Sequence, residues 1–269
     1  MPNYSLPADL GPVKLGKNPK KEDPRTLKMA KYYKAEAPPP IPTDFSFISL
    51  DTLITDWGML GNDTIGDCVI AMILHMIESW AADNGISLTF TTQDAINLYS
   101  AVTGYDPNQT QPDGSNPTDN GTNELDALKY MQQTGYNGHK IGAFVQVDLS
   151  NIGEVMMAIY LFGGIACGVA LPMSAQGEPN WDYPPDDQNT KDPSPGSWGG
   201  HGIPGLAYDA QGIVVITWAN ALSVDWAFFS QYFDEAYAII SPDYIDGTKP
   251  SPTGFDMATL TADLQLVTA

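Results

Sequence analysis

Residues 60–80 read LGNDTIGDCVIAMILHMIESW. A glycine-rich turn runs into apolar residues at helical spacing, with Asp67 as N-cap and Gly85 as the stop. Cys68 therefore opens the first long helix. Unpaired N–H groups and the positive end of the dipole favour a thiolate there, so the position predicts a depressed thiol pKa. His75 lies two turns along the same helix, roughly 10 Å away at ~1.5 Å per residue. It is expected to be a core or rim histidine and not a partner of Cys68.

Working outward, TTQDAINLYSAVTG (91–104) and TNELDALKYMQQTG (122–135) read as two more helices, each opened by Thr and closed by Gly. The loop between them is made of turn-formers; its carboxylates fit no EF-hand spacing, so no calcium site is assigned. KIGAFVQV is expected as a strand, NIGEVMMAIYLFGG as a helix and IACGVAL as a buried strand holding Cys167, a packing cysteine. After a polar loop (173–200) come strands HGIPGLAYD, GIVVITWA and EAYAIIS, and a closing helix DMATLTADLQLV. Pro204 predicts a bulge or a missing ladder bond. His139, in YNGHK, reads as an exposed turn residue. A helical half followed by an antiparallel sheet half is an α+β arrangement with a cleft at the junction.

The 269 residues carry a net charge of −20, unevenly spread. Residues 1–34 hold eight Lys and Arg against three Asp and Glu, a net +5, which leaves −25 on the rest. Residues 1–45 form a basic, proline-rich N-terminal arm, ending in the extended spacer APPPIPTDF. Only 23–36 suggests a helix there, with Asp23 as N-cap. Such an arm either lies on its own acidic body or, through residues 1–42, grips a protein partner or neighbouring subunit. The acidic body disfavours nucleic acid. No apolar run suits a membrane span or a signal peptide. Two cysteines make no disulfide framework and point to a reducing setting: cytoplasmic, or a virion if the chain is phage-encoded. The absence of CxxC or HxxxH spacing argues against zinc. Neither a phosphate loop nor a dinucleotide fingerprint is present, and no cofactor is expected.

The Cys68 helix followed much later by GGHGIPGLAYD and GIVVITW resembles the papain-like cysteine peptidase fold, from about Trp57 to Pro242. The resemblance implies an α+β fold in which the helical half, carrying the Cys helix, packs on an antiparallel sheet half (46–269). It implies Cys68 as nucleophile and His201 as general base. Asn62, six positions before Cys68, stands where the family has an oxyanion Gln, one methylene longer. The family's orienting Asn has no clear counterpart: the strand pattern puts Thr217 or Trp218 there, with Asn220 just beyond as a candidate. Val69 replaces the family's Trp after the nucleophile. Two functions are compatible with this reading. One is a Cys–His hydrolase of peptide or amide bonds, acting on a peptide or protein substrate. The other is a silent structural or assembly protein on the same scaffold, such as a phage capsid-decoration or tail component. The arm is then an assembly arm or a propeptide lying in the cleft.

Overall fold

The computed structural model describes residues 2–48, 53–244 and 255–268. Helix α1 (Cys68–Asp83) forms the centre of the helical half, and every residue from Cys68 to Ala82 is buried. The helix is covered all round, so even its polar side chains His75, Glu78 and Ser79 are buried. Helices α2 (Thr92–Thr103) and α3 (Glu124–Gln133) pack against it. Thr91 and Asp94 cap α2 reciprocally, and Gly104, at φ 80°, ends it. The cap of α3 is Asn123, whose side chain accepts from the Leu125 N–H, and not the expected Thr122.

The other half is an antiparallel sheet. Its strands are β1 (Phe45–Ser46), β2 (Ala143–Gln146), β3 (Ile165–Leu171), β4 (Gly199–Tyr208), β5 (Gly212–Thr217), β6 (Asn220–Asp225) and β7 (Phe233–Ile240). They run in the order β2-β7-β3-β4-β5-β6, with β1 added to β4. Helices α4 (Ile152–Phe162), α5 (Trp226–Tyr232) and α6 (Met257–Thr268) complete the chain. Among the described residues no helix is long and apolar enough to cross a membrane. Three elements, β1, β6 and α5, are additions to the sequence reading. Pro204 pairs with Ala166 in unbroken register on the β3 side; the irregularity in β4 falls between Gly205 and Ala207, on the β5 side.

The two halves meet where α1 crosses β4. Gly202 makes the approach close: a Cβ there would lie 2.9 Å from Val69 Cγ2 and 3.0 Å from its Cα. The family's large Trp at position 69 has no room in this arrangement.

The basic arm lies on its own body. Tyr4 and Leu6 bond to Ser223 and Pro179 on the sheet half. Instead of a helix over 23–36 there is one 3₁₀ turn, Met29–Tyr32. The Asp23 carboxylate accepts from the Arg25 backbone and guanidinium and from Lys129, which fixes a local turn. Met29 and Tyr32 are fully buried, and Tyr32 packs against Phe255. Ion pairs Lys14–Asp119, Lys21–Asp126 and Lys31–Asp263 follow the charge asymmetry.

Candidate active site

The turn before α1 is unusual backbone. Leu60 (φ 51°) and Gly61 (φ 102°) are both left-handed, and the first of these is costly for a side chain with a Cβ. A Cβ at Gly61 would lie 2.7 Å from an Asp67 carboxylate oxygen. The turn closes through Asn62 N–H to the Met59 carbonyl, and the Asn62 amide donates to the same carbonyl at 2.9 Å. Asp119 holds the next step. It accepts from the Gly66 N–H, the Tyr99 hydroxyl (2.8 Å) and Lys14 (2.5 Å). Asp67 stands at the N-cap position of α1, but its side chain makes no capping bond. Both its oxygens are buried and unbonded, and burial pushes its pKa well up.

Cys68 and His201 line one small cavity of about 10 Å³, together with Asn62, His75, Gly202, Thr217 and Trp218. That is about the space of a single water. The Gly202 N–H points at Cys68 Sγ, 3.4 Å away. His201 Nε2 is 2.8 Å from Thr217 Oγ1, while Nδ1 is buried and makes no hydrogen bond. The ring stacks on Trp218 at 4.8 Å and 18°. Trp218 and Ala219 both have positive φ (46° and 64°) and form the two-residue turn joining β5 to β6. Tight hairpins prefer this geometry but usually build it from Asn and Gly. Here the strained turn aims an indole at the imidazole.

Asn220 does not reach His201. Its amide donates to the Trp218 carbonyl at 2.6 Å, and the hydroxyl of Thr217 occupies the place beside Nε2. His75 bonds the Trp57 carbonyl at 2.8 Å, and burial lowers its pKa to about 4. His139 is half-buried and pairs with Asp243 at 3.0 Å, so it is not a free turn residue. Cys167 is buried in β3.

The thiol is not depressed as its helical address predicts. Burial pushes Cys68 up to about 11, outweighing the Gly202 and Gly16 N–H groups that favour the thiolate. Burial likewise lowers His201 to about 3. The pair rests as neutral thiol and neutral imidazole. The burial has a visible source, since residues 14–18 run between the two halves. Lys14 N–H donates to the Asn62 carbonyl and Lys17 N–H to the Gly200 carbonyl at 3.0 Å; Lys17 bridges in parallel to Thr122, whose N–H donates to the Gly16 carbonyl and whose carbonyl accepts from the Asn18 N–H. The backbones nearly touch: a Cβ on Gly16 would sit 2.0 Å from the Gly66 carbonyl oxygen. Of the two residues that the strand pattern puts at the orienting position, Thr217 is the one beside His201 Nε2, and the candidate Asn220 is not; the arm covers the cleft, as the propeptide alternative expects.

No protein-family profile matches the sequence, and no curated protein matches it in sequence. Solved structures do resemble it. Xylellain, a cysteine protease from Xylella fastidiosa, superposes with a TM-score of 0.62 at 13% identity, over 86% of this chain and 97% of that one. A procathepsin B from Trypanosoma congolense gives 0.58 at 9% identity, covering 85% and 86%. The ragweed pollen allergen Amb a 11, a cysteine protease in its proform, gives 0.54 at 14% identity, covering 89% and 68%. The overall path of the chain agrees with these structures: this chain has the papain-like fold.

Proposed function

We propose that the protein is a cysteine hydrolase of peptide or amide bonds, held latent by residues 14–18 of its own arm. The observation that carries this reading is the convergence of Cys68 and His201 on one cavity, with a basic strap threaded over it. In this reading residues 1–45 are the inhibitory segment and 46–269 the hydrolase.

Once the strap leaves, water restores the basicity of His201. Thr217 holds Nε2, so Nδ1 takes the Cys68 proton. The thiolate attacks the scissile carbonyl carbon. The resulting oxyanion is met by the Cys68 N–H and by the second N–H of the Asn62 amide. The imidazolium gives its proton to the leaving amine as the C–N bond breaks, leaving a thioester. Water, deprotonated by His201, attacks that thioester; the carboxylic acid departs and the thiol is restored.

The test is the full-length Lys17→Glu variant, which places a fourth carboxylate among Glu124, Asp234 and Glu235 and drives the strap out. It is expected to hydrolyse peptidyl aminomethylcoumarins that the wild type leaves intact, and Cys68→Ser in that background abolishes the activity. The neutral state of the buried pair favours the second reading, a silent assembly scaffold. That reading wins if Lys17→Glu folds, exposes Cys68 to alkylation and turns over no substrate.

A further inference from the structure

The chain that leads into α1 belongs to no helix or strand from residue 53 to residue 67. Three of the four residues 58–61 have positive φ: 69° at Gly58, 51° at Leu60 and 102° at Gly61. Backbone in such sparsely populated conformations persists only where its surroundings over-determine it. Within the turn, the Gly61 carbonyl accepts from the Thr64 and Ile65 N–H groups, and the Met59 carbonyl accepts from the backbone and side-chain amides of Asn62. Those bonds set the shape of the turn. They do not set where it sits against α1.

His75 makes that connection. Its ring is 3% exposed, and Nε2 lies 2.8 Å from the Trp57 carbonyl oxygen. A carbonyl can only accept, so Nε2 carries the proton. Burial lowers the pKa to about 4, so at neutral pH the ring is uncharged; Asp56 is the charged group that faces it. The Trp57 indole meets the same ring edge-on at 5.6 Å and 84°. One side chain of α1 therefore fixes both the carbonyl and the indole of Trp57. An apolar residue would fill this core position without burying a polar ring, so packing alone does not account for a histidine here. His75 shares α1 with Cys68 and lines the same cavity as Cys68 and Asn62. The thiol and the anchor of the Asn62 turn thus ride on one rigid helix. The strap supplies a second hold, from the Lys14 N–H to the Asn62 carbonyl, and takes it away when it leaves.

We propose that His75 is a positioning residue of the hydrolase: by holding the Trp57 carbonyl it fixes the turn that aims the Asn62 amide at the oxyanion. As a statement about catalysis it rests on the hydrolase reading above. His75 acts through Asn62 and not on the thiol. Its loss therefore weakens the charged tetrahedral state and leaves displacement reactions of Cys68 unchanged.

The experiment uses full-length Lys17→Glu, which breaks the ion pairs to Asp234 (3.0 Å) and Glu235 (2.9 Å), with Lys17→Met should the first fail to fold. In that background His75→Leu removes the donor, with His75→Phe in reserve, and His75→Gln keeps an N–H near the place of Nε2. Three quantities are measured: kcat and KM on a peptidyl aminomethylcoumarin, the affinity for a peptide nitrile, and the iodoacetamide rate at Cys68. Thiolate addition to the nitrile puts negative charge at the oxyanion position, whereas alkylation by iodoacetamide is a displacement that creates none. His75→Leu should lower kcat and nitrile affinity by about tenfold or more, with KM and the alkylation rate within about threefold of the parent. His75→Gln should recover most of both losses, and in an Asn62→Ala background the His75→Leu effect should vanish. Nitrile affinity untouched by His75→Leu, a parallel fall in alkylation, or no recovery with Gln overturns the proposal. If the parent cleaves no substrate, the hydrolase reading fails on its own. The nitrile then decides the role of His75: binding about tenfold weaker in His75→Leu and restored in His75→Gln supports it, and equal or absent binding refutes it.

Discussion

Covering the cleft should control Cys68 chemistry by a definite factor. In the closed protein the thiol is wholly inaccessible, with its pKa pushed to about 11, against an ordinary value of 9.0. Below both values the thiolate population falls tenfold for each unit of difference, so closure lowers it by on the order of 100-fold, roughly 3 kcal/mol. Steric exclusion adds to this. Lys17→Glu, by expelling the strap, should therefore raise the iodoacetamide rate at Cys68 by at least ~100-fold at pH 7. The wild-type rate should keep climbing with pH toward 11, whereas the opened variant should level off well below that. Peptide-resolved mass spectrometry separates the two thiols, and Cys167, buried in β3 and also pushed up, is the internal control. Wild-type Cys68 labelling at the rate of a hydrated cysteine at pH 7 would refute the argument. So would a Lys17→Glu rate within threefold of wild type.

Thr217→Val in the opened background should lower kcat by ~10- to 100-fold at unchanged KM, since it removes the oxygen beside His201 Nε2; with one hydrogen bond of ~1 kcal/mol lost, circular dichroism should show a melting temperature only a few degrees lower. Gly168→Ala, which drives a methyl into Lys17 Cε, should raise Cys68 labelling as Lys17→Glu does while leaving the core intact. Glu78 is pushed up to about 8 by burial and accepts the Phe90 N–H. The folded state keeps its proton where the unfolded state releases it near 4.5, so the contribution of Glu78 to stability falls as pH rises from 4.5 through 8. Glu78→Gln should flatten that slope by up to ~4 kcal/mol, read from urea midpoints at pH 5 and 8.5. At the acid end His75 and His201, held near 4 and 3, refuse protons that the unfolded chain accepts near 6.5, so wild-type stability should also fall as pH drops below 6.5.

Local signals carried the parts of the site that a short window contains. The helix headed by Cys68 announces itself through apolar spacing and the preceding turn, and His201 through its two glycines and following strand. The hairpin behind Thr217 was hidden because Trp218 and Ala219 take a left-handed turn that their side chains do not advertise. With that turn unseen, β6 and α5 had no boundary, and Asn220 looked nearer the imidazole than it is. The acids around Lys17 were invisible for another reason: Lys17 and Asp234 are 217 positions apart, and only the folded cleft brings them together. The expected thiolate failed on a competition between fields. A helix N-terminus acts over one turn and contributes about 1 kcal/mol, too little against complete burial.

The strap is fastened at both ends, by Tyr4 and Leu6 on the sheet half and by the buried Met29 and Tyr32 beyond the cleft. In the latent-hydrolase reading, any substrate therefore competes with a tethered rival whose effective concentration is in the millimolar range, as for short flexible linkers. Micromolar peptide cannot win that contest by affinity alone. Cutting the chain once between Asn18 and Lys28 changes the order of the reaction. The segment remains bound, but its return becomes bimolecular and depends on how dilute the protein is. Latency of this kind is lost by dilution after a single nick, and the exposed residues Lys21, Glu22, Pro24 and Arg25 are where a second protease would meet the chain.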